Sequence, residues 1–287
     1  MRIKTNTLKS VRDFFDDELK PFYPCDEIRF YFYWCCESFL NLSKTQVIAN
    51  IEFRISESMM LKFNFAVKDL KAQKPIQYIL GTCDFYGLKL LVTPDVLIPR
   101  PETEELVQQI ASEHKNFNGR ILDICTGSGC IALALKKQFS KSNSQGLDIS
   151  QKAISVAQEN AKRNQLDVDF FVADIFNYGK DMPNQQFDLI VSNPPYVLNS
   201  EKSQMQANVL DYEPHQALFV EDDNPLLFYK TIIDLAKHHL NPNGALYLEI
   251  NESFGNEITE ILILNAFSNV QTHSDFRGKS RFISATL

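Results

Sequence analysis

Residues 121–133 read Ile-Leu-Asp-Ile-Cys-Thr-Gly-Ser-Gly-Cys-Ile-Ala-Leu, and their pattern predicts the fold class. The apolar run that ends at Asp123 predicts a strand, and the apolar residues from 131 to 139 predict a helix. Between them, Gly127 and Gly129 allow the backbone to turn tightly and to approach a ligand closely. The helix would point the positive end of its dipole at that ligand. Such a strand, glycine turn and helix are typical of the ligand-binding edge of a doubly wound sheet.

The same alternation of strands and helices continues along the chain. Three further strands end in polar residues, at Asp148, Asp174 and Asn193. The remaining predicted elements are helices at about 151–164 and 226–240 and strands at about 245–250, 270–275 and 281–287. Alternating strands and helices build a parallel sheet that helices cover on both faces. We therefore predict an α/β fold with a Rossmann-like sheet.

Residues 1–74 show helical periodicity instead. The spacing within residues 43–46, Ser-Lys-Thr-Gln, matches a capping box and predicts the start of a helix. Pro75 predicts that the last helix of this region ends near Lys74. We interpret the many aromatic residues of segment 26–42 as the core of a small N-terminal helical bundle.

The periodicity changes again at residues 75–93. Residues 76–81 and 85–92 have the pattern of short strands that turn at glycines. We therefore predict three regions. They are a helical bundle at 1–74 that recognises the substrate, a β-hairpin connector at 75–93 and a catalytic domain at 94–287.

Composition and charge restrict the class of protein. The six cysteines form no C-x-x-C pair and fit neither a zinc site nor a disulfide framework, so we expect reduced thiols and no metal. No apolar run is long enough to span a bilayer, and the N-terminus lacks the apolar core of a signal peptide. We expect a cytoplasmic monomer without a membrane partner. Residues 81–287 carry a net charge of −9, against +2 for residues 1–80. This acidity argues against a nucleic-acid substrate.

Asn193-Pro194-Pro195-Tyr196, here called the amide clamp, follows the apolar run 187–192. Neither proline has an N–H, so the turn is stiff and leaves a backbone carbonyl free. An amide side chain, a carbonyl and an aromatic ring then face one small space. Two acceptors and a flat ring suit a planar –NH2 group. The clamp therefore predicts N-methylation of an amide or of an exocyclic base amine.

The polar strand ends predict the cofactor. Asp148 lies 19 residues after Gly129, where an acidic residue accepts hydrogen bonds from ribose hydroxyls. It could also cap the helix that follows. Asp174 and Phe176 could flank an adenine. A glycine turn with a ribose-binding acid fits NAD as well as S-adenosylmethionine. The amide clamp favours S-adenosylmethionine, because hydride transfer has no use for such a clamp.

The chain resembles the release factor glutamine methyltransferase family. The stretches that match are 75–81, 96–104, 121–133, 148–150, 192–196, 213–218 and 275–281. The clamp is also found in DNA adenine and rRNA methyltransferases. The segment 97–104, Leu-Ile-Pro-Arg-Pro-Glu-Thr-Glu, is far more specific to this family.

This resemblance implies a class I methyltransferase that uses S-adenosylmethionine and releases S-adenosyl-L-homocysteine. It implies a protein substrate, the Gly-Gly-Gln glutamine of peptide chain release factors, and hence a role in translation termination. We expect the cofactor to be bound by Cys125, Thr126, Gly127, Ser128, Gly129, Asp148, Asp174, Ile175, Phe176 and Asn193. We expect the substrate to be bound by Asn193, Pro194, Pro195, Tyr196, Arg100 and Glu213, with Asn193, Pro194 and Tyr196 catalytic.

The chain departs from the family pattern at two positions. Cys125 stands where the family usually has glycine, so its side chain must point away from the cofactor or narrow the site. The tryptophan sometimes found beside the adenine is absent, and Phe176 is the candidate substitute.

Roles can also be predicted for one loop and one arginine. The polar loop 197–220 is expected to line the groove for the protein substrate, with the N-terminal bundle as its far wall. Arg100 either reaches the site or forms an ion pair with Glu102 or Glu104.

Two other functions remain open from the sequence. One is N-methylation of adenine or guanine in a nucleic acid, which would use the same clamp. The other is an inactive cofactor-binding module that acts as an assembly partner. The acidity and segment 97–104 argue against the first, and the intact clamp argues against the second.

Overall fold

Most of the predicted strands and helices are present in the computed structural model, which describes residues 3–177 and 185–287. The helices are α1 (Leu8–Leu19), α2 (Cys25–Leu40), α3 (Lys44–Ala49), α4 (Glu57–Lys71), α5 (Ile76–Leu80), α6 (Pro101–Glu113), α7 (Cys130–Gln138), α8 (Gln151–Asn164), α9 (Ala207–Leu210), α10 (Leu227–His239) and α11 (Gly255–Leu264). The strands are β1 (Thr82–Phe85), β2 (Leu88–Leu91), β3 (Arg120–Ile124), β4 (Asn143–Asp148), β5 (Val168–Val172), β6 (Phe187–Ser192), β7 (Val197–Leu198), β8 (Phe219–Val220), β9 (Leu240–Glu249), β10 (Ser268–Ser274) and β11 (Ser280–Thr286). In the described ranges, no helix is long and apolar enough to cross a membrane.

The chain divides into two units. The first comprises Met1–Gly81 and Gln206–Tyr212, and the second comprises Thr82–Met205 and Glu213–Leu287. The predicted N-terminal bundle begins at Met1 and Arg2, which lie outside the described residues.

The first unit is helical and has an aromatic core. Phe15, Phe32 and Phe63 are fully buried and lie in contact with one another, with ring centroids 5.7 to 6.5 Å apart. The predicted capping box is present at the start of α3, where Ser43 and Gln46 exchange side-chain and backbone hydrogen bonds. The aromatic segment 26–42 was predicted to be core. Only part of it is buried, because α2 also exposes Phe30 and Trp34.

Residues 76–80 form helix α5, so the predicted strand there is wrong. Pro75 precedes its first turn, where a missing N–H costs nothing. Gly81 ends it with φ +70°, a left-handed conformation that favours glycine. Ile76 and Ile79, which are three positions apart, pack against the core of the first unit. The predicted hairpin therefore consists of β1 and β2 alone, which pair antiparallel in the second unit.

The second unit is built on a mixed sheet. Among the described residues it has seven strands, in the order β10-β11-β9-β6-β3-β4-β5. Neighbours from β9 to β5 are parallel, as predicted, but β10 and β11 are antiparallel. The purely parallel sheet is thus a wrong prediction, because a tight turn at residues 275–279 can only join antiparallel strands.

The sheet buries one core on each face. Consecutive strand residues point to opposite faces, so Ile121 packs with α6, α7 and α8, whereas Leu122 packs with α10 and α11. Pro101 occupies the start of α6, as predicted. The chain leaves β3 towards β4 and later returns to β6 on the other side of β3. Ligands bind at such a reversal, beyond the carboxyl ends of the strands.

Candidate active site

The turn between β3 and α7 is held in a strained, left-handed backbone. Cys125, Gly127 and Gly129 all have positive φ, at 60°, 55° and 80°. A side chain at Gly129 would meet Phe170 at 2.9 Å, so glycine is required there for packing as well. Positive φ also explains why the position of Cys125 favours glycine.

The side chain of Asp123 holds this turn in place through two hydrogen bonds. Its side chain is fully buried, and Oδ2 accepts hydrogen bonds from Thr126 Oγ1 at 2.6 Å and from the N–H of Ala132 at 3.1 Å. Oδ1 has no partner. Burial raises the pKa of this carboxyl to about 7.

Asp148 ends β4 and joins the glycine turn to the next helix. Its Oδ2 accepts from the N–H of Gly127 and its Oδ1 from the N–H of Ser150, both at 2.9 Å. The Ser150 hydroxyl, rather than Asp148, caps α8 by accepting from Ala153. Burial raises the pKa of Asp148 above its ordinary value. Backbone donors do not occupy all the acceptor sites of this carboxylate, so it can still accept from a ribose hydroxyl.

Asn160 supports the glycine turn, a role that was not predicted from the sequence. It lies on α8, fully buried, and its Nδ2 donates to the carbonyl of Ser128 at 2.9 Å. It also exchanges hydrogen bonds with both backbone groups of Leu91 in β2. A single buried amide thus ties the hairpin to the glycine turn.

A cleft of about 350 Å³ lies at the carboxyl ends of the strands, a volume within the usual range for small-molecule sites. Of the predicted site residues, it is lined by Arg100, Cys125, Thr126, Gly127, Ser128, Asp148, Asp174, Ile175, Phe176, Asn193 and Pro195. Gly129, Pro194, Tyr196 and Glu213 are not among the lining residues. The structure therefore brings the glycine turn, Asp148 and Asn193 to one cavity.

One wall of the cleft is aromatic. Phe176 is 44% exposed and contacts Phe228 edge to face, with ring centroids 5.2 Å apart. Asp174 holds the backbone here, because its Oδ1 accepts from the N–H of Phe176 at 2.9 Å. This wall offers a flat ligand an apolar surface beside a carboxylate.

The amide clamp is anchored to a buried carboxylate, Glu249, at the end of β9. Asn193 Nδ2 donates to Thr103 Oγ1 at 3.3 Å, and Thr103 Oγ1 donates to Glu249 Oε2 at 2.7 Å. Tyr196 Oη donates to Glu249 Oε1 at 3.1 Å. Burial raises the pKa of Glu249 to about 7.

Sequence reasoning missed Thr103 and Glu249. Thr103 lies in segment 97–104, but nothing in the sequence gave it a role. The available signal for Glu249 was a carboxylate inside the apolar run 245–250. A charge in a buried strand is rare unless it is hydrogen-bonded or functional.

Arg100 forms an ion pair with neither predicted partner. Its guanidinium lies 2.6 Å from Oε1 of Glu213, and Oε2 of Glu213 accepts from the N–H of Ile98 at 3.1 Å. Glu104 accepts from the backbone of Tyr86 instead. The ion pair with Glu102 or Glu104 was thus a wrong prediction, while Arg100 does line the cleft.

Comparison with known proteins places this site in a family. A model described as the methyltransferase small domain matches residues 101–218, and one described as the PrmC N-terminal domain matches residues 25–81. The release factor glutamine methyltransferase of Flavobacterium psychrophilum is 43% identical over 98% of this chain and 99% of its own length. The chain belongs to the release factor glutamine methyltransferase family. The protein of that name from Bacteroides thetaiotaomicron is 36% identical over 97% of this chain and 99% of its own.

Membership of the release factor glutamine methyltransferase family confirms the resemblance predicted from the sequence. Solved structures confirm the Rossmann-like fold class. A methyltransferase from Pyrococcus furiosus covers 80% of this chain and 98% of its own, with a TM-score of 0.52 and 19% identity. The 16S rRNA N2 G1207 methyltransferase of Thermus thermophilus covers 71% of this chain and 49% of its own, with a TM-score of 0.51 and 16% identity.

Proposed function

We propose that this chain transfers a methyl group from S-adenosylmethionine to the side-chain amide nitrogen of the Gly-Gly-Gln glutamine in peptide chain release factors. The observation that carries the proposal is the meeting of Asn193, the glycine turn and Asp148 in one cleft. The predicted enzyme class, a methyltransferase that uses S-adenosylmethionine, is confirmed by family membership.

The residues of the cleft fit this cofactor. A side chain built at Gly127 would meet no atom within 4 Å, so the bare backbone of the turn faces open space. Cys125 to Gly129 would hold the amino-acid part of the cofactor, and Asp148 would accept from its ribose. Asp174, Ile175 and Phe176 would flank its adenine. When bound, the cofactor supplies an electrophilic methyl group.

The clamp would orient the acceptor. Asn193 Oδ1 and the Pro194 carbonyl would each accept one N–H of the glutamine amide, so that the nitrogen faces the methyl group. The ring of Tyr196 would pack on the amide plane, and Pro195 would close the cleft beside it.

Positioning is the main catalytic contribution of these residues. A carboxamide nitrogen is a weak nucleophile, because its lone pair is delocalised into the carbonyl. Holding both reactants in attack geometry can supply about 7–11 kcal/mol of the barrier. The two acceptors also stabilise the positive charge that develops on the nitrogen. The proton then leaves to solvent.

The release factor would be recognised by more than its glutamine. We assign substrate recognition to the N-terminal unit, whose helix α2 exposes Phe30 and Trp34. The ion pair of Arg100 with Glu213 would fix the cleft wall that receives the Gly-Gly-Gln loop. The enzyme would act as a cytoplasmic monomer, without a nucleic acid as direct partner.

Methyl transfer from labelled S-adenosylmethionine to a purified release factor tests the proposal. The control is the same factor with its Gly-Gly-Gln glutamine changed to alanine. Label in the first protein and none in the second is the expected result. Equal label in both, or label only in added rRNA or DNA, would contradict the proposal.

A further inference from the structure

Glu249 is buried, and its carboxylate forms no ion pair within the part of the chain that the structure describes. It is 1% exposed, and both carboxylate oxygens accept from hydroxyl groups, those of Thr103 and Tyr196. Burying a charged group is unfavourable unless its hydrogen bonds are satisfied. Both of these hydroxyls lead to the amide clamp, since one belongs to it and the other contacts Asn193.

The hydrogen bonds from Asn193 to Thr103 and from Thr103 to Glu249 form a series. The charge on Glu249 fixes the direction of both. An ionised carboxylate only accepts, so the single hydroxyl proton of Thr103 is donated to it. Thr103 Oγ1 can then only accept from the side chain of Asn193. The amide of Asn193 must therefore present Nδ2 to Thr103, which leaves Oδ1 on the opposite side.

The second branch fixes the aromatic end of the clamp. Burial and the neighbouring Glu249 raise the pKa of Tyr196 well above its ordinary value, so its hydroxyl remains a donor. The backbone carbonyl of Tyr196 accepts from Asn251 Nδ2 at 3.2 Å. One carboxylate thus holds both Asn193 and Tyr196.

We infer that Glu249 is a positioning residue that acts through Thr103 to keep Asn193 Oδ1 turned towards the acceptor amide. This rests on the proposed function, because the acceptor is the glutamine amide. An asparagine with its oxygen and nitrogen exchanged would present a donor to a donor, and the acceptor would bind poorly or in the wrong orientation.

The surroundings of Glu249 predict a pH dependence. Glu102 on α6 raises its pKa and Arg281 on β11 lowers it, while Tyr196 donates to it and Tyr229 on α10 donates to its backbone carbonyl. Burial is the largest cause and raises the pKa to about 7. A protonated Glu249 carboxyl can donate to Thr103 Oγ1, whose own proton is then donated to Asn193. Both hydrogen bonds are then reversed, and the Asn193 amide turns so that Oδ1 faces Thr103. Methyl transfer therefore decreases as the pH falls below about 7.

Three variants test the inference. Thr103→Val keeps the side-chain shape but removes the hydroxyl, and Thr103→Ser keeps the hydroxyl. Glu249→Gln keeps the shape but replaces one acceptor oxygen by a donor. Thr231 is a half-buried residue of α10 whose hydroxyl donates to the carbonyl of Leu227 in the same helix, so Thr231→Val is the control for losing a threonine hydroxyl.

We expect Thr103→Val and Glu249→Gln to lower kcat for methyl transfer by about 10–100-fold, as for groups that orient a direct contact. Thr103→Ser and Thr231→Val should stay within about threefold of the parent enzyme. Binding of S-adenosyl-L-homocysteine, measured by calorimetry, should change less than about threefold in all four. The ratio of parent to Glu249→Gln rates should shrink as the pH is lowered from 8 to 6.

A readout independent of activity follows the Asn193 side chain directly. In the parent enzyme Asn193 Nδ2 donates one of its protons to Thr103. The NMR signal of this amide group, assigned by its loss in Asn193→Asp, should shift in Thr103→Val and in Glu249→Gln but not in Thr103→Ser. An unchanged signal, a normal kcat in Thr103→Val, or an equal loss of cofactor binding would overturn the inference. If the parent enzyme itself methylates no release factor, the proposed function fails, and the NMR signal still tests the series.

Discussion

Arg100 and Glu213 lie 113 positions apart in the sequence, yet their charged groups are 2.6 Å apart. The Glu213 side chain is almost completely buried, and its second oxygen accepts from the backbone of Ile98. This pair therefore joins the segment before α6 to residues 214–217, of which Pro214, Gln216 and Ala217 line the cleft. One ion pair thus determines where that wall of the cleft stands.

Removing Arg100 should destabilise the enzyme. Arg100→Met leaves the buried carboxylate of Glu213 without its counter-charge, and we expect a loss of about 3 kcal/mol in the free energy of unfolding. Arg100→Met combined with Glu213→Gln should recover part of this loss, because glutamine is neutral and can still accept from Ile98. Urea unfolding of both variants measures this. Equal losses in the single and double variants would contradict the account.

Cys125 should tolerate glycine better than any β-branched residue. Its φ of 60° costs an L-residue about 1–2 kcal/mol, a strain that glycine does not have. Since glycine also loses more entropy on folding, Cys125→Gly should leave the stability equal or up to about 1 kcal/mol higher. Cys125→Val should lower the stability and weaken cofactor binding. Thermal unfolding and calorimetry test this pair, and a markedly less stable glycine variant would refute the explanation.

Asp123 should make the stability decrease as the pH rises. Its pKa in the folded protein is about 7, above that of an unfolded aspartate, so the unfolded chain ionises first. The contribution of Asp123 to the free energy of unfolding is fully present below about pH 4. It is lost progressively up to about pH 7, with a slope of about 1.4 kcal/mol per pH unit.

Comparison with Asp123→Asn isolates this effect from that of Glu249. The difference in unfolding free energy between the parent protein and the variant should fall from pH 5 to pH 7 and stay level above it. Urea unfolding at several pH values measures the difference. A difference that is independent of pH would mean that Asp123 has an ordinary pKa.

Phe30 and Trp34 should contribute to recognition of the release factor. They lie one helical turn apart on α2 and are 57% and 42% exposed, so they form one outward apolar face. Changing both to serine should raise KM for the intact release factor several-fold, without raising it for a short Gly-Gly-Gln peptide. Leu264→Ser, at an 84% exposed position of α11, is the matched control. An unchanged KM for the intact factor would mean that these two residues of the N-terminal unit do not take part in recognition of the release factor.

The fold of the second unit and several residues that line the cleft could be predicted from the sequence because their signals are local. Strand periodicity, glycines with positive φ and polar residues at strand ends all lie within a few positions of one another. The order of β3, β4, β5 and β6 then brings Asp148 and Asn193 to the same edge by topology alone.

The supports of the site could not be predicted, because they are contacts between distant segments. Thr103 and Glu249 are 146 positions apart, and the hydroxyl of one contacts the carboxylate of the other only after α6 packs on β9. Helix α5 was misassigned for a different reason. Five apolar and polar residues between Pro75 and Gly81 fit a strand as well as a helix, and packing on the core of the first unit decides between them.

The turnover of Asn193→Ala on a purified release factor shows whether Asn193 orients the acceptor amide. Turnover is followed by mass spectrometry of the Gly-Gly-Gln peptide. We expect kcat to fall by about 10²–10³-fold with the fold intact, because a preorganised acceptor is removed from the transition state. Turnover within a few-fold of the parent enzyme would contradict it.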